Sequence, residues 1–129
     1  MNIQYRKAEK QDSDAINELF IEMIKTINER MVNEGVEPYA SLESGYEEGY
    51  LDTFFVNDNR VIFVACNENK VIGYLSVVKY ENYLYLDDYC VSKQYRGLGI
   101  GSNLIQISET ELQTMPPHTA AVCGSQKPF

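Results

Sequence analysis

Three alternating glycines, Gly97, Gly99 and Gly101, follow an apolar stretch of the chain, with Arg96 immediately before them. Glycine allows the backbone to approach a ligand closely and to adopt a positive φ angle where a turn needs one. A helical pattern begins directly after the glycines, and the N–H groups at the start of a helix attract anions. These residues predict a phosphate-binding loop, and the diphosphate of a nucleotide-like cofactor is its natural ligand.

Two common phosphate-binding motifs do not fit this spacing. A Walker A loop requires Lys followed by Ser or Thr after its last glycine, whereas Ser102 follows Gly101 here. In a Gly-x-Gly-x-x-Gly fingerprint the third glycine would fall on Ser102 or Leu104, depending on the starting glycine. The remaining pattern is Arg/Gln-x-x-Gly-x-Gly/Ala, with Arg96, Gly99 and Gly101 at its fixed positions. A flexible surface loop is the alternative, but it does not require glycines at strict alternation between a strand and a helix.

With this pattern the chain resembles the GNAT superfamily of acetyl-CoA-dependent N-acetyltransferases. The segment 85–91 (Tyr-Leu-Asp-Asp-Tyr-Cys-Val) is similar to the fourth strand of that family, and the segment after the glycines is similar to its third helix. Over residues 85–105 the resemblance is closest to the spermidine/spermine and related diamine acetyltransferases. The order of elements from residue 3 to about residue 114 agrees too, which implies an enzyme that acetylates an amine.

The resemblance also implies where acetyl-CoA binds. The pantetheine arm would pair with the backbone of Tyr89, Cys90 and Val91 as if it were an added strand. A bulge in that strand would leave an N–H group for the thioester oxygen. The diphosphate would be held by Arg96 and by the loop that follows it, which comprises Gly97, Leu98, Gly99, Ile100, Gly101 and Ser102.

Asp87 and Asp88 are the carboxylates nearest to this site in the sequence. They match an adjacent pair of acids that the diamine acetyltransferases use for acceptor binding and deprotonation. Neighbouring strand residues point to opposite faces, so only one acid should face the acceptor unless a bulge intervenes. By family position we expect Asp87 to act as a base through water and Asp88 to orient the cation. A loop cap or an ion pair with a surface lysine is the alternative for either residue.

The proton donor for the departing thiolate is harder to assign. In the family it is a tyrosine on or after a fourth helix, and no tyrosine follows Tyr95 here. Only 12 residues follow Pro117, so the last third of the family's domain has no counterpart. A truncated or rearranged chain, a sheet completed by a second subunit and an artefact are three explanations that the sequence leaves open. Four tyrosines are substitute donors, with packing as the alternative for each: Tyr39, Tyr46, Tyr85 and Tyr89.

Acidic residues accumulate where such folds select their acceptor, between the first helix and the first buried strand. Glu43/Glu47 and Glu48/Asp52 lie at i,i+4 spacing, at which like charges on a helix repel one another. A polyamine or another cationic acceptor would relieve this repulsion, together with Glu34 and Glu37. A solvated helix face explains the same residues with fewer assumptions.

Hydrophobic periodicity predicts the elements that must position these groups. Apolar spacing of three and four predicts a first helix after Asp12 or Ser13, and a third helix over 100–115 with Leu104, Ile105 and Leu112 on its inner side. A second helix over 42–55 is weakened by two glycines. Strands are expected at 3–8, 61–66, 71–78 and 83–91, and residues 119–123 are a candidate fifth strand. The prediction is an α/β (α+β) fold whose mostly antiparallel sheet is flanked by helices and shortened at the C-terminus. We expect a single domain over 1–129, with a family core at 3–114 and an atypical tail at 115–129.

Composition narrows the functional classes. The 129 residues carry 19 acids and 11 bases, a net charge of −8, which is the wrong sign for a nucleic-acid-binding surface. No stretch approaches the roughly 20 apolar residues of a membrane span, and a cytoplasmic location is expected. Cys66 and Cys90 lie in apolar strands and should be buried free thiols, while a catalytic pairing of any cysteine with His118, the only histidine, carries little weight. One histidine and scattered acids do not predict a metal site.

The leading hypothesis is an N-acetyltransferase that moves the acetyl group of acetyl-CoA to a primary amine without an acyl-enzyme. A polyamine or diamine is the first choice of acceptor, while aminoglycosides, amino acids and protein N-termini stay open, as does a homodimer. A catalytically impaired acyl-CoA-binding or regulatory module is the alternative. A structural subunit whose fifth-strand edge recruits a partner is the third hypothesis.

Overall fold

The computed structural model describes residues 2–111 and 120–123, which are organised around a five-stranded sheet. Its strands lie side by side in chain order: β1 (Ile3–Lys7), β2 (Arg60–Asn67), β3 (Lys70–Lys79), β4 (Tyr83–Val91) and β5 (Ala120–Cys123). The first four pair antiparallel, and β5 pairs parallel to β4. The mixed, mostly antiparallel sheet confirms the predicted fold class.

Helices cover both faces of this sheet. They are α1 (Ser13–Asn33), α2 (Thr53–Val56) and α3 (Ile100–Glu111), with 3-10 turns at Lys10–Asp12, Ala40–Ser44 and Lys93–Tyr95. On β2, Ile62 and Val64 pack into the cluster that α1 and α2 cover, whereas Phe63 and Ala65 pack into the cluster beneath α3. Because both faces are buried, β2 and β3 are nearly continuous apolar runs. Each fully buried large side chain contributes about 1.5–3 kcal/mol.

The first helix begins where predicted, but Asp12 does not cap it with its side chain. The Asp12 carboxylate instead accepts two hydrogen bonds from the Arg6 guanidinium, at 2.7 and 3.0 Å, and one from the Glu9 amide at 2.7 Å. The apolar face of α1 is buried as the spacing predicts. The ion pair therefore ties β1 to the start of α1.

The predicted helix over 42–55 is wrong. Residues 40–44 form a 3-10 turn, and the chain becomes helical again only for the single turn of α2. Gly45 and Gly49 have φ angles of 99° and 84°, which a right-handed helix cannot accommodate. Glu43 and Glu47 therefore do not share a helix face, and the Glu43 carboxylate accepts a 2.7 Å bond from the Asn28 amide group.

Side chains of α1 hold this connection, residues 34–52, against the sheet. The buried Asn28 bonds the backbone of Tyr39 in both directions, at 2.8 and 3.2 Å. Further along, the side-chain oxygen of Asn17 (Oδ1) accepts a 2.8 Å bond from the Tyr46 backbone amide. Two asparagines on one helix thus fix the path of a segment that has little regular structure of its own.

The pairing of β3 with β4 contains a register shift at the two predicted acids. Ser76 pairs with Asp88, whereas Val77 pairs with Leu86, so Asp87 has no partner on β3. Among the described residues, the pairing between β4 and β5 runs from Tyr83 to Leu86. Residues 87–91 of β4 therefore combine a bulge with an edge that β5 does not pair.

The remaining predictions fall partly outside the described residues. The third helix is described to Glu111, and Leu112, His118 and residues 124–129 lie beyond the description. Cys66 and Cys90 are buried free thiols, as predicted. Within the described part of the chain, no helix has the length and apolar character needed to cross a membrane.

Gly45 provides a test of the connection. A Cβ added there would lie 2.5 Å from the Asn17 Oδ1 atom, which can move away only by giving up its bond to Tyr46. A Cβ at Gly49, also at positive φ, would meet nothing within 4 Å. Gly49→Ala should cost about 1 kcal/mol of unfolding free energy through backbone strain alone, and Gly45→Ala about 2 kcal/mol or more. Urea denaturation of both variants measures the difference, and equal losses would contradict this account of the connection.

Candidate active site

The glycine loop adopts the backbone that its residues predict. Gly97 and Gly99 have φ angles of 78° and 81°, although a Cβ at either would meet nothing within 4 Å, so conformation rather than space requires glycine. The first backbone bond of α3 runs from the Asn103 amide to the Gly99 carbonyl, at 3.0 Å. The preceding N–H groups at this helix start have no acceptor within the helix itself. They give the loop the amides that an anion requires.

A cavity of about 550 Å³ opens over this loop and the end of β4. Nine of the ten residues predicted to bind the cofactor line it, and only Leu98, whose side chain is exposed, does not. The other lining residues, which the sequence analysis did not assign to the cofactor site, are Met23, Tyr95 and Ile105. Met23 and Ile105 face the cavity from helices on the two sides of the sheet, an arrangement that no local motif encodes.

Arg96 and Gly101 shape the cavity walls. The Arg96 Nε atom donates a 3.0 Å bond to the Val91 carbonyl, which holds the guanidinium beside the end of β4. A Cβ at Gly101 would lie 3.2 Å from the Tyr89 ring, so the third glycine allows this close packing. A cationic side chain, a glycine turn and a helix start together fit a diphosphate group.

Both predicted acids lie on the same face of the sheet. Before the bulge, Leu86 packs beneath α3 while Tyr85 packs toward α1; beyond it, Cys90 packs toward α1. The bulge thus reverses the alternation between Asp87 and Asp88. The sequence analysis expected only one acid to face the acceptor unless a bulge intervened. The bulge is present, so both acids lie on one face.

Two tyrosines from the connection bind the two carboxylates. The Tyr50 hydroxyl donates to Asp87 Oδ2 at 2.6 Å, and the Tyr46 hydroxyl donates to Asp88 Oδ2 at 2.8 Å. Tyr46 also lies 2.8 Å, oxygen to oxygen, from the hydroxyl of Tyr74 on β3. These contacts bring together residues about 30 to 40 positions apart, which sequence spacing does not predict.

Aromatic stacking orders the tyrosines. The rings of Phe20 and Tyr46 stack with centroids 3.9 Å apart, and Tyr50 stacks on Tyr46 at 5.2 Å. Phe54 meets Tyr50 edge-on at 5.7 Å. The sequence analysis treated Tyr46 as a packing residue or a proton donor.

Burial governs the electrostatics of this cluster. It raises the pKa of Asp88, the hydrogen bond from Tyr46 opposes that rise, and the negative charge of Asp87 adds to it. Burial is also the main reason why the pKa values of Tyr46 and Tyr74 are raised, so both remain protonated donors. Burial raises the pKa of Cys90 to about 11, which leaves its thiol protonated at neutral pH.

The four tyrosines proposed as substitute acids lie in different surroundings. Tyr39 is exposed on the connection, Tyr46 donates a hydrogen bond to Asp88, and Tyr85 packs against the α1 cluster. Tyr89 lines the cavity and is 56% exposed. Tyr89 is therefore the member of this set that meets the cavity.

The ionised Asp88 carboxylate should lower the free energy of unfolding at neutral pH. A raised carboxyl pKa means that the folded state binds the proton more tightly, so stability falls as the pH rises through the folded-state value. Asp88→Asn removes this cost and keeps an oxygen for Tyr46, and it should raise the melting temperature by a few degrees at pH 7.5 but not at pH 3. The exposed Asp58→Asn is the control. A gain that does not depend on pH would contradict the role assigned to burial.

Comparisons with known proteins agree with this geometry. The model of the Acetyltransferase (GNAT) family matches residues 22–118. No curated protein matches the chain significantly.

Several solved structures share the fold. The PaiA N-acetyltransferase from Thermoplasma acidophilum, solved in complex with coenzyme A, has a TM-score of 0.68 at 19% identity, with 88% of this chain and 73% of that one covered. An aminoglycoside acetyltransferase from an uncultured soil metagenomic sample has a TM-score of 0.64 at 16% identity, covering 95% and 79%. The ribosomal-protein-alanine N-acetyltransferase from Brucella melitensis biovar Abortus 2308 has a TM-score of 0.67 at 12% identity, covering 95% and 81%. At these identities the likeness concerns the fold.

The family match spans well over half of the 129 residues, including the strand, glycine loop and helix that form the cavity. This chain therefore belongs to the GNAT acetyltransferase family, and acetyl-CoA is its co-substrate.

Proposed function

We propose that this chain acetylates the primary amine of a small cationic acceptor, with a diamine or polyamine as the first candidate. The observation that carries the proposal is the bulge in β4. It turns Asp87 and Asp88 to one face, directly before the strand segment that leads into the cavity. A negative pair at the end of a cofactor cleft suits an ammonium group.

The end of β4 and the glycine loop are our candidates for binding acetyl-CoA. Beyond Leu86 the strand has an edge that β5 does not pair, and an extended group can bind such an edge by main-chain hydrogen bonds. Tyr89, Cys90 and Val91 would pair with the pantetheine arm there. Arg96 and the amides of residues 97–102 would hold the diphosphate.

Acetyl transfer requires the amine nitrogen to bond to the acetyl carbon while the carbon–sulfur bond breaks. The ammonium must first lose a proton, and the departing thiolate must gain one. We assign the first task to Asp87 through a water molecule and the orientation of the cation to Asp88. Both tyrosine bonds go to Oδ2 atoms, so each half-buried carboxylate has a second oxygen for the acceptor or its water.

Acidic residues beside the site favour a second positive charge on the acceptor. A depression of about 180 Å³ next to Tyr46 is lined by Asp14, Glu47, Glu48 and Asp52. Their negative charge would attract a second ammonium group of the acceptor. The assay panel should also contain aminoglycosides and peptides with a free N-terminus, because structural neighbours act in those classes.

Two measurements separate an enzyme from a module that only binds acyl-CoA. Acetyl-CoA should raise the melting temperature in both cases, because a ligand of the folded state stabilises it. Release of free CoA with an amine is expected only of the enzyme. Stabilisation without CoA release across the whole panel would favour the binding module.

Asp87→Asn should lower kcat with the preferred amine by about 10²- to 10⁴-fold, the usual contribution of a general base. The side chain keeps its size and an oxygen for Tyr50, so acetyl-CoA binding should be unchanged. Rates of CoA release with Asp58→Asn, an exposed acid in the turn before β2, provide the control. Full turnover by the Asp87 variant would show that the assigned base is wrong.

Gly99→Val should weaken acetyl-CoA binding at least tenfold in calorimetry, about 1.4 kcal/mol, because valine does not tolerate its positive φ angle. Gly35→Val is the matched control. Gly35 has a φ angle of 76° and also lacks neighbours within 4 Å, but it lies at the end of α1, so that variant should be strained and still bind. Undiminished affinity of the Gly99 variant would refute the glycine loop as the diphosphate site.

A further inference from the structure

We propose that Tyr46 and Tyr74 form an ordered hydrogen-bond chain that holds the Asp88 carboxylate toward the acceptor, which makes both tyrosines positioning residues. The inference rests on the proposed function in one respect, because it takes Asp88 as a residue that faces the amine. Its structural part concerns three side chains from three separate segments: the connection, β3 and β4.

The direction of the chain follows from counting protons. An ionised carboxylate can only accept hydrogen bonds, and a tyrosine hydroxyl has a single hydrogen to donate. Since Tyr46 donates to Asp88 at 2.8 Å, its bond with Tyr74 must use the Tyr74 hydrogen. The order is therefore Tyr74 to Tyr46 to Asp88, and protonation of Asp88 would allow it to reverse.

Burial distinguishes positioning from proton transfer. Tyr74 is fully buried, with 0% of its surface exposed, so the chain ends inside the core and offers no exit for a proton. Tyr46 is fixed by its stacking on Phe20 and by the Asn17 bond to its amide. Such a chain can orient a carboxylate and stabilise its charge, but it cannot deliver protons to solvent.

Asp88 is held through its backbone as well. Its amide donates a 3.0 Å bond to the Ser76 hydroxyl, opposite the bulge. With the backbone fixed by Ser76 and Oδ2 fixed by Tyr46, the second carboxylate oxygen has a defined direction. Tyr50 holds Asp87 in the same way, so one segment of the connection orders both acids.

The charges around Asp88 indicate what the chain changes. Burial raises the Asp88 pKa and the bond from Tyr46 lowers it, so loss of that bond should raise it further. The groups that face this cluster are Asp87 and Cys90 from β4, Tyr74 and Ser76 from β3, Tyr46 and Tyr50 from the connection, and Phe20 from α1. Asp87 is the acid in this set whose negative charge acts on Asp88, and that charge raises the Asp88 pKa.

The test is a titration of the aspartate carboxyl carbons by NMR, with Asp88 assigned through Asp88→Asn. In Tyr46→Phe, Asp88 should titrate at higher pH than in the wild type, and in Tyr74→Phe it should shift in the same direction by less. Because Tyr74 acts only through Tyr46, adding Tyr74→Phe to Tyr46→Phe should change nothing further. Tyr80→Phe, an exposed tyrosine in the β3–β4 turn, is the control.

Kinetics give a second readout. With the preferred amine, kcat/KM of Tyr46→Phe should be lowered more at pH 6 than at pH 9, because the bond from Tyr46 lowers the Asp88 pKa and deprotonation at higher pH restores the charge. A merely structural loss would lower the rate equally at both pH values and would overturn the proposal.

The titration needs no acceptor, so it separates the two ideas. Two results would overturn the tyrosine chain whatever the activity. One is an unchanged Asp88 titration in Tyr46→Phe, and the other is an Asp88 shift caused by Tyr74→Phe that is just as large when Tyr46→Phe is already present. If no amine releases CoA from the wild type while the titration shift is present, the chain is supported and the proposed reaction is overturned instead. Should Tyr46→Phe fail to fold, the shift in Tyr74→Phe decides the same question.

Discussion

One unpaired residue in β4 determines how the site is arranged. In a regular strand, consecutive side chains point to opposite faces, so two adjacent acids cannot serve one ligand. The register shift opposite Ser76 and Val77 leaves Asp87 outside the ladder and turns Asp88 to the face that α1 covers. The tyrosines of the connection meet both carboxylates only because of this shift. Within the described residues the pairing with β5 is last seen at Leu86, so the bulge directly follows the paired part of this edge.

Placing two neighbouring carboxylates in a half-buried position is unfavourable, since burial and mutual repulsion both oppose ionisation. The fold offsets this with hydroxyl donors at 2.6 and 2.8 Å and with a stack of aromatic rings that runs from Phe20 to Phe54. The donors come from an irregular connection, which two asparagines of α1 fasten to the scaffold. This is a common division between a rigid sheet and functional loops. Under the proposed function, the connection would form the acceptor side, whereas β4 and α3 would form the cofactor side.

Much of this could be predicted from the sequence, where local patterns carry the information. The nearly continuous apolar runs of β2 and β3, the spacing in α1 and the glycines before α3 each specify an element, and those elements lie where expected. The helix over 42–55 failed because two glycines at positive φ outweighed its apolar spacing. The sequence analysis named a bulge at the acids only as an exception and did not predict it, because the register of a strand depends on its partner strand. The contacts of Tyr46 and Tyr50 with the acids, and of Tyr74 with Tyr46, join distant segments, so no local pattern could show them.

A crystal structure with CoA and a diamine bound tests the central claim most directly. The account predicts the amine nitrogen within hydrogen-bonding distance of Asp87, Asp88 or a water held between them, and the pantetheine beside residues 89–91. It also predicts that both carboxylates remain on the α1 face of the sheet. An amine bound away from these acids, or an Asp87 side chain turned beneath α3, would contradict it.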